Sequence, residues 1–147
     1  GYLIAFLVAL FGGMSSISGV TYVTVILTFA AGGLNPLLLA AMSGVGLTVG
    51  DSIYFFLGRR AYYTLGTGKI SEFVHRIIAW LNRQHRHRIA VGIYLYAGFT
   101  PFPNDVLTIS LGLARRPYWQ VLLPLALGNI TLTYIVAFFG QQLPFLN

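Results

Sequence analysis

Tyr96-Ala-Gly-Phe-Thr-Pro-Phe-Pro-Asn-Asp105 interrupts an apolar run that would otherwise continue as a helix. Pro101 and Pro103 each remove a backbone donor and clash with the preceding turn. Asn104 and Asp105 add an amide and a carboxylate at the break. The flanking apolar arms, residues 89–97 and 106–114, hold about nine residues each, or roughly 14 Å of helix at 1.5 Å per residue. A bilayer core is roughly 30 Å thick, so each arm reaches only about half way. The pattern predicts a re-entrant hairpin that enters a membrane, turns at 101–105 and leaves on the same side. Backbone without partners at that depth is stable only against protein or water, so a polar cavity is expected beside the turn.

Composition supports a membrane setting. The 147 residues are 56% hydrophobic and 8% charged, against about 25% charged for a soluble domain. Seventeen glycines without a period of three suit close helix packing rather than collagen or disorder. With no cysteine, disulfides and thiolate metal sites are excluded. The net charge is +6, and every arginine, lysine and histidine lies between Arg59 and Arg116. Apolar spans bracket that segment, so the positive-inside rule accounts for it better than nucleic-acid binding. Residues 59–88 and 115–116 are expected to be cytoplasmic, in the cytoplasmic membrane of a bacterium or archaeon. Residues 1–11 lack a basic n-region, and no cleavable signal peptide is expected there.

Elsewhere the same grammar repeats. Residues 1–11 and 20–31 are short apolar arms around the glycine- and serine-rich stretch 12–19, which predicts a second re-entrant hairpin; the alternative is one long tilted span from Tyr2 to about Ala31. Pro36 suits the first turn of a helix over 37–57, long enough to cross a bilayer. Residues 69–88 read as an amphipathic helix with an apolar stripe of Ile70, Phe73, Val74, Ile77, Trp80 and Leu81. Arg76, Arg83 and Arg86, with Trp80, are expected at the membrane surface, as are Arg115 and Arg116; docking of that helix on the protein itself is the alternative. Residues 118–139 form a second span carrying Asn129, Thr131 and Thr133. An offset of 82 residues lays Gly46 on Gly128 and Gly58 on Gly140, and each unit would cross the membrane once in opposite sense. The expected fold is therefore all-α and integral to the membrane. A single domain, 1–147, would comprise a first repeat at 1–58, a basic linker with the amphipathic helix at 59–88, and a second repeat at 89–147.

Asp51 and Asp105 are two of only three acidic residues. In a membrane each needs a partner, a proton or water. Arg59 is the expected partner for Asp51, two helical turns away, and Asp105 or Asn104 would serve to cap the arm that begins at Val106. His85 and His87 point about 200° apart on a helix with no carboxylate nearby, so no metal site is expected. No nucleophile elbow, zinc-protease or phosphate-loop motif occurs, so no catalytic residue, cofactor or enzyme activity is expected.

Val49-Gly-Asp-Ser-Ile-Tyr-Phe-Phe-Leu-Gly-Arg59 resembles the glycine-aspartate, tyrosine, glycine-arginine signature of the DedA or VTT-domain proteins, also called SNARE-associated Golgi proteins. Phe99-Thr-Pro-Phe-Pro-Asn-Asp105, with Gly112, Pro117 and Gly128-Asn129, is similar to that family's second re-entrant motif. The resemblance implies two facing re-entrant hairpins and movement of lipid between leaflets, with phospholipid or undecaprenyl phosphate as the partner and protons coupled in some members. Ser18-Gly-Val-Thr21 stands where the bacterial branch has an acid with proline, and Gly98 and Asn104-Asp105 stand where it has arginines. These departures point to a divergent subgroup in which Asp105 supplies the missing acid. Asp51, Arg59, Pro101, Pro103, Asn104, Asp105 and Asn129 are the expected transport or headgroup residues. A homo-oligomer is a further candidate arrangement. Two other functions fit the same residues: a proton-coupled transporter of a small solute, and a membrane scaffold without transport.

Overall fold

The computed structural model describes residues 1–12, 18–100 and 104–143. The expected turns at 13–17 and 101–103, Pro101 and Pro103 among them, lie outside the described residues. Among the described residues there are seven helices and no strand: α1 (Tyr2–Gly12), α2 (Ser18–Ala31), α3 (Pro36–Tyr62), α4 (Lys69–Arg83), α5 (Arg86–Phe99), α6 (Asn104–Leu113) and α7 (Tyr118–Gln141). Among the described residues, only α3 and α7, with 27 and 24 residues, combine the length and apolar character needed to cross a membrane. At 1.5 Å per residue they measure roughly 40 and 36 Å.

α3 begins where expected. The Asn35 side-chain oxygen accepts the N–H groups of Leu37 at 2.9 Å and Leu38 at 3.3 Å, and Pro36 occupies the first turn. The helix runs further than its apolar stretch, through Arg59 and Arg60 to Tyr62. Basic side chains in a last turn are favoured by the helix dipole, so the apolar pattern ends before the helix does.

α3 and α7 form the centre of the molecule. Arg59 meets Arg116, Ser52 meets Tyr118, and Thr48 meets Asn129, in reverse order along the two helices, which are therefore antiparallel. α1 and α6 pack on α3, while α2 and α5 pack on α7. Exchanging α1, α2 and α3 for α5, α6 and α7 preserves these principal pairings. A Cβ at Gly12 would lie 3.2 Å from the Tyr22 Cβ, whereas ten residues of continuous helix would separate them by about 15 Å. α1 and α2 are thus folded back on each other, not one long span.

Glycines make the close crossings. A Cβ at Gly46 would lie 2.5 Å from the Phe6 carbonyl oxygen of α1, and one at Gly128 3.0 Å from the Tyr94 carbonyl oxygen of α5. At Gly58 it would collide with the Ile109 carbonyl of α6, and at Gly140 it would lie 3.0 Å from the Leu27 carbonyl oxygen of α2. The turns after α2 and α6 also correspond. Leu34 N donates to Phe29 O and Gly33 N to Ala30 O; Arg116 N donates to Leu111 O and Arg115 N to Gly112 O. Each is the helix-ending motif with one residue in the left-handed region, Gly33 at φ 90° in the first and Arg115 at φ 55° in the second.

The amphipathic segment differs from its expected extent. α4 stops at Arg83, and Arg86 begins α5 instead of continuing the surface helix. The Leu81 carbonyl takes the Gln84 N–H at 3.1 Å as α4 ends, and Arg116 Nη2 donates to the carbonyls of both Leu81 and Gln84. That capping, beside the consecutive basic residues His85, Arg86, His87 and Arg88, favours a break there.

Candidate functional site

The inner stripe of α3 steps by three and four residues through Gly44, Thr48, Asp51, Phe55 and Gly58, all buried. α7 faces it with Val121, Leu125, Asn129, Thr133 and Ala137, also buried. Small and apolar residues allow close approach, and the polar members then have to satisfy one another. Asp51 is 1% exposed and Asn129 0%. Asn129 Nδ2 donates to Asp51 Oδ2 at 2.9 Å and to Thr48 Oγ1 at 3.2 Å. Asn104 Nδ2, from the first residue of α6, donates to the same Asp51 oxygen at 3.2 Å and to Asn129 Oδ1 at 2.9 Å.

Three expected site residues, Asp51, Asn104 and Asn129, therefore converge from three helices. The pairing of Asp51 with Arg59 does not form. Arg59 Nη2 donates to the Arg116 carbonyl at 2.7 Å and its guanidinium lies over the Phe55 ring at 5.2 Å. Two turns of helix separate the side chains, and amides already occupy the carboxylate. α6 begins at Asn104, two residues before the expected Val106, so Asp105 lies inside its first turn rather than at its cap, with Oδ1 accepting the Val106 N–H at 3.1 Å.

The polar chain extends beyond the expected residues. Thr133 Oγ1 donates to the Asn129 carbonyl at 2.8 Å and shares a buried hydrogen bond with Tyr22 OH of α2. Thr48 accepts from Asn129, and its carbonyl takes Ser52 Oγ–H at 2.6 Å, whose oxygen pairs with Tyr118 OH at 2.8 Å. Hydrogen-bonded groups thus run from Tyr22 to Tyr118 through the α3–α7 contact. Thr48 is signalled in the sequence only by its place one turn before Asp51. Tyr22 has no signal, since its partner is 111 residues away.

The sequence matches the VTT domain over residues 20–142. The chain belongs to the VTT-domain, or DedA, family. Neither the curated proteins nor the solved structures contain a match. VTT-domain proteins are generally membrane proteins, in keeping with the lengths of α3 and α7.

At the basic end of this VTT-domain protein, the Arg115-Arg116 turn ties three elements together. The Arg115 guanidinium lies over the Tyr62 and Tyr63 rings at 5.3 and 5.1 Å. Arg116 accepts from Arg59 and donates to the end of α4, so it is an internal bracket, half-buried, rather than the open surface cation expected. Its donors go to carbonyls at the C-terminal end of α4. The Nε groups of Arg59 and Arg116 are buried without a hydrogen-bond partner among the described residues. Arg76, Trp80 and Arg83 are exposed on α4, and Arg86 is exposed at the start of α5. An open depression of about 420 Å³ at the α3–α4 loop, lined by Thr64 to Ser71, shares no residue with the Asp51 cluster.

Proposed function

We propose that this protein moves phospholipid or a polyprenyl phosphate between leaflets, as a transporter without catalytic activity. The observation that carries the reading is the Asp51 cluster: a carboxylate deep inside a membrane-length helix, held by two amides and no cation among the described residues. Such a group is costly in a membrane unless it serves a path for protons, ions or headgroups. α1, α2, α5 and α6 have 11, 14, 14 and 10 residues, roughly 15 to 21 Å each. Those lengths suit arms of two re-entrant hairpins that thin the barrier. The matched pairings, glycine crossings and turns recurring 82 residues apart, with α3 and α7 antiparallel, support an inverted repeat whose hairpins meet beside α3 and α7. Arg59 and the other arginines of this end would attract a phosphate-bearing headgroup on the cytoplasmic side, since the arginine donor fork suits phosphate oxygens.

The enclosure of the cluster by α3, α6 and α7 also fits an occluded site for a small solute driven by protons. Reconstitution separates the two readings. Liposomes carrying fluorescent lipid in both leaflets are treated with dithionite; with vesicles shown to be sealed, quenching well beyond half is expected, and Asp51→Asn should return it to about half. Quenching that stops at half with phospholipid and with polyprenyl phosphate probes, alongside solute uptake on a proton gradient, would overturn lipid movement in favour of the solute.

A further inference from the structure

α4 has no buried residue. Val74, Ile77, Ile78 and Leu81 are half-buried on the side toward the bundle. Ile70, Phe73 and Trp80 are 79%, 62% and 61% exposed. Phe73 and Trp80 are seven residues apart and so share one line of the helix. Lys69, Arg76 and Arg83 recur at the same interval on the adjacent line, all exposed, with Arg76 three residues from Phe73 and four from Trp80. α4 docks on the bundle along the Val74, Ile77, Ile78 and Leu81 side, and that docking leaves the aromatic line uncovered.

The end of the molecule that carries α4 has the marks of a membrane–water boundary. Tyr62 and Tyr63 close α3, Tyr118 and Trp119 open α7, and Tyr63 and Trp119 are 67% and 70% exposed. Arg59, Arg60, Arg115 and Arg116 lie among them. Aromatic rings with basic residues at helix ends form the belt at headgroup level. Arg116 holds the C-terminal end of α4 to that belt through Leu81 and Gln84, so the exposed lines of α4 stay at the same surface. Glu72 is the one acid on α4 against Lys69, Arg76 and Arg83. That charge balance selects a surface of negative sign.

We infer that α4 is a docking helix for an anionic leaflet. Phe73 and Trp80 enter the boundary between headgroups and acyl chains, and Lys69, Arg76 and Arg83 extend to lipid phosphates and anionic headgroups. This role is independent of the Asp51 cluster. Trp80 and Trp119 are the two tryptophans, so Trp119→Phe leaves Trp80 as the sole reporter. The full chain carrying that change is reconstituted in phosphatidylcholine, with or without phosphatidylglycerol, with brominated acyl chains as quenchers. A basic residue near an anionic surface is worth about fivefold in docking, and three together on the order of a hundredfold. Trp80 should be quenched more strongly, with blue-shifted emission, in the anionic membrane. Adding Lys69→Gln, Arg76→Gln and Arg83→Gln, all at exposed positions, should return it to the phosphatidylcholine level with the melting temperature unchanged. Equal quenching in both membranes, or quenching unaffected by the triple change, would overturn the anionic surface as partner. Solvent-like emission in both would overturn docking altogether.

Discussion

At residue scale, the carboxylate of Asp51 and the conformation of Arg115 carry distinct consequences. Asp51→Asn keeps the volume and one acceptor oxygen, so the fold should persist while lipid movement is lost. Asp51→Leu removes the acceptor that Asn104 and Asn129 share, though each amide nitrogen keeps one other acceptor. A stability loss of about 1–3 kcal/mol is expected in thermal melts in detergent. Arg115 occupies a left-handed turn at a cost of about 1–2 kcal/mol for a residue with a Cβ. Two tyrosine rings offset it at about 0.5–1 kcal/mol each. Arg115→Ala should therefore lose about 1–2 kcal/mol and Arg115→Gly close to nothing; equal losses in melts would contradict this balance. Asp51 and Asn129 stood out in the sequence because polar groups are expensive in apolar spans. Asn104 was expected at the same site, but its hydrogen bonds to Asp51 and Asn129 were not legible, because 53 residues separate it from Asp51.

At element scale, the helices are set by periodicity and caps, and their crossings by glycine. Gly112→Ala would drive a methyl into the Phe55 carbonyl, and Gly58→Ala into that of Ile109. Each should cost about 1–3 kcal/mol through overpacking. Gly92 has nothing within 4 Å of its Cβ position, so Gly92→Ala should stabilise α5 by up to about 1 kcal/mol through helix propensity. The contrast between these variants in one melting series checks the crossing geometry. Arg116→Gln would shorten the reach to Leu81 and Gln84 and free the end of α4. Faster hydrogen exchange at 81–84, with α7 unchanged, is the expected readout. The amphipathic pattern of α4 was legible as far as Arg83. Its end was not, because the capping donor comes from the α6–α7 turn.

At the scale of the whole molecule, a single crossing by α3 would put the turn at 32–35 and the loop at 64–68 on opposite sides. The chain has no native cysteine, and Gly32→Cys, Thr67→Cys and Arg115→Cys can be probed one at a time in inverted vesicles with an impermeant maleimide. Labelling of residues 67 and 115 from the cytoplasmic face, and of residue 32 only from the other, is expected; labelling of all three from one face would refute the topology. The two halves match in packing and differ in chemistry. Tyr22 corresponds to Asn104 and Asp51 to Thr133 at an offset of 82, so the two contacts between the halves pair hydroxyls in one case and an amide with a carboxylate in the other. Local sequence determined the helices, the basic end and the likeness of the two halves, because apolar runs, prolines, glycines and charge act through near neighbours. Tertiary structure alone decided that Asp51 takes amides instead of Arg59, that Tyr22 reaches Thr133, and that Arg116 holds α4. Each of those depends on which groups α3 and α7 bring together once they pack, and no spacing along the chain encodes that distance.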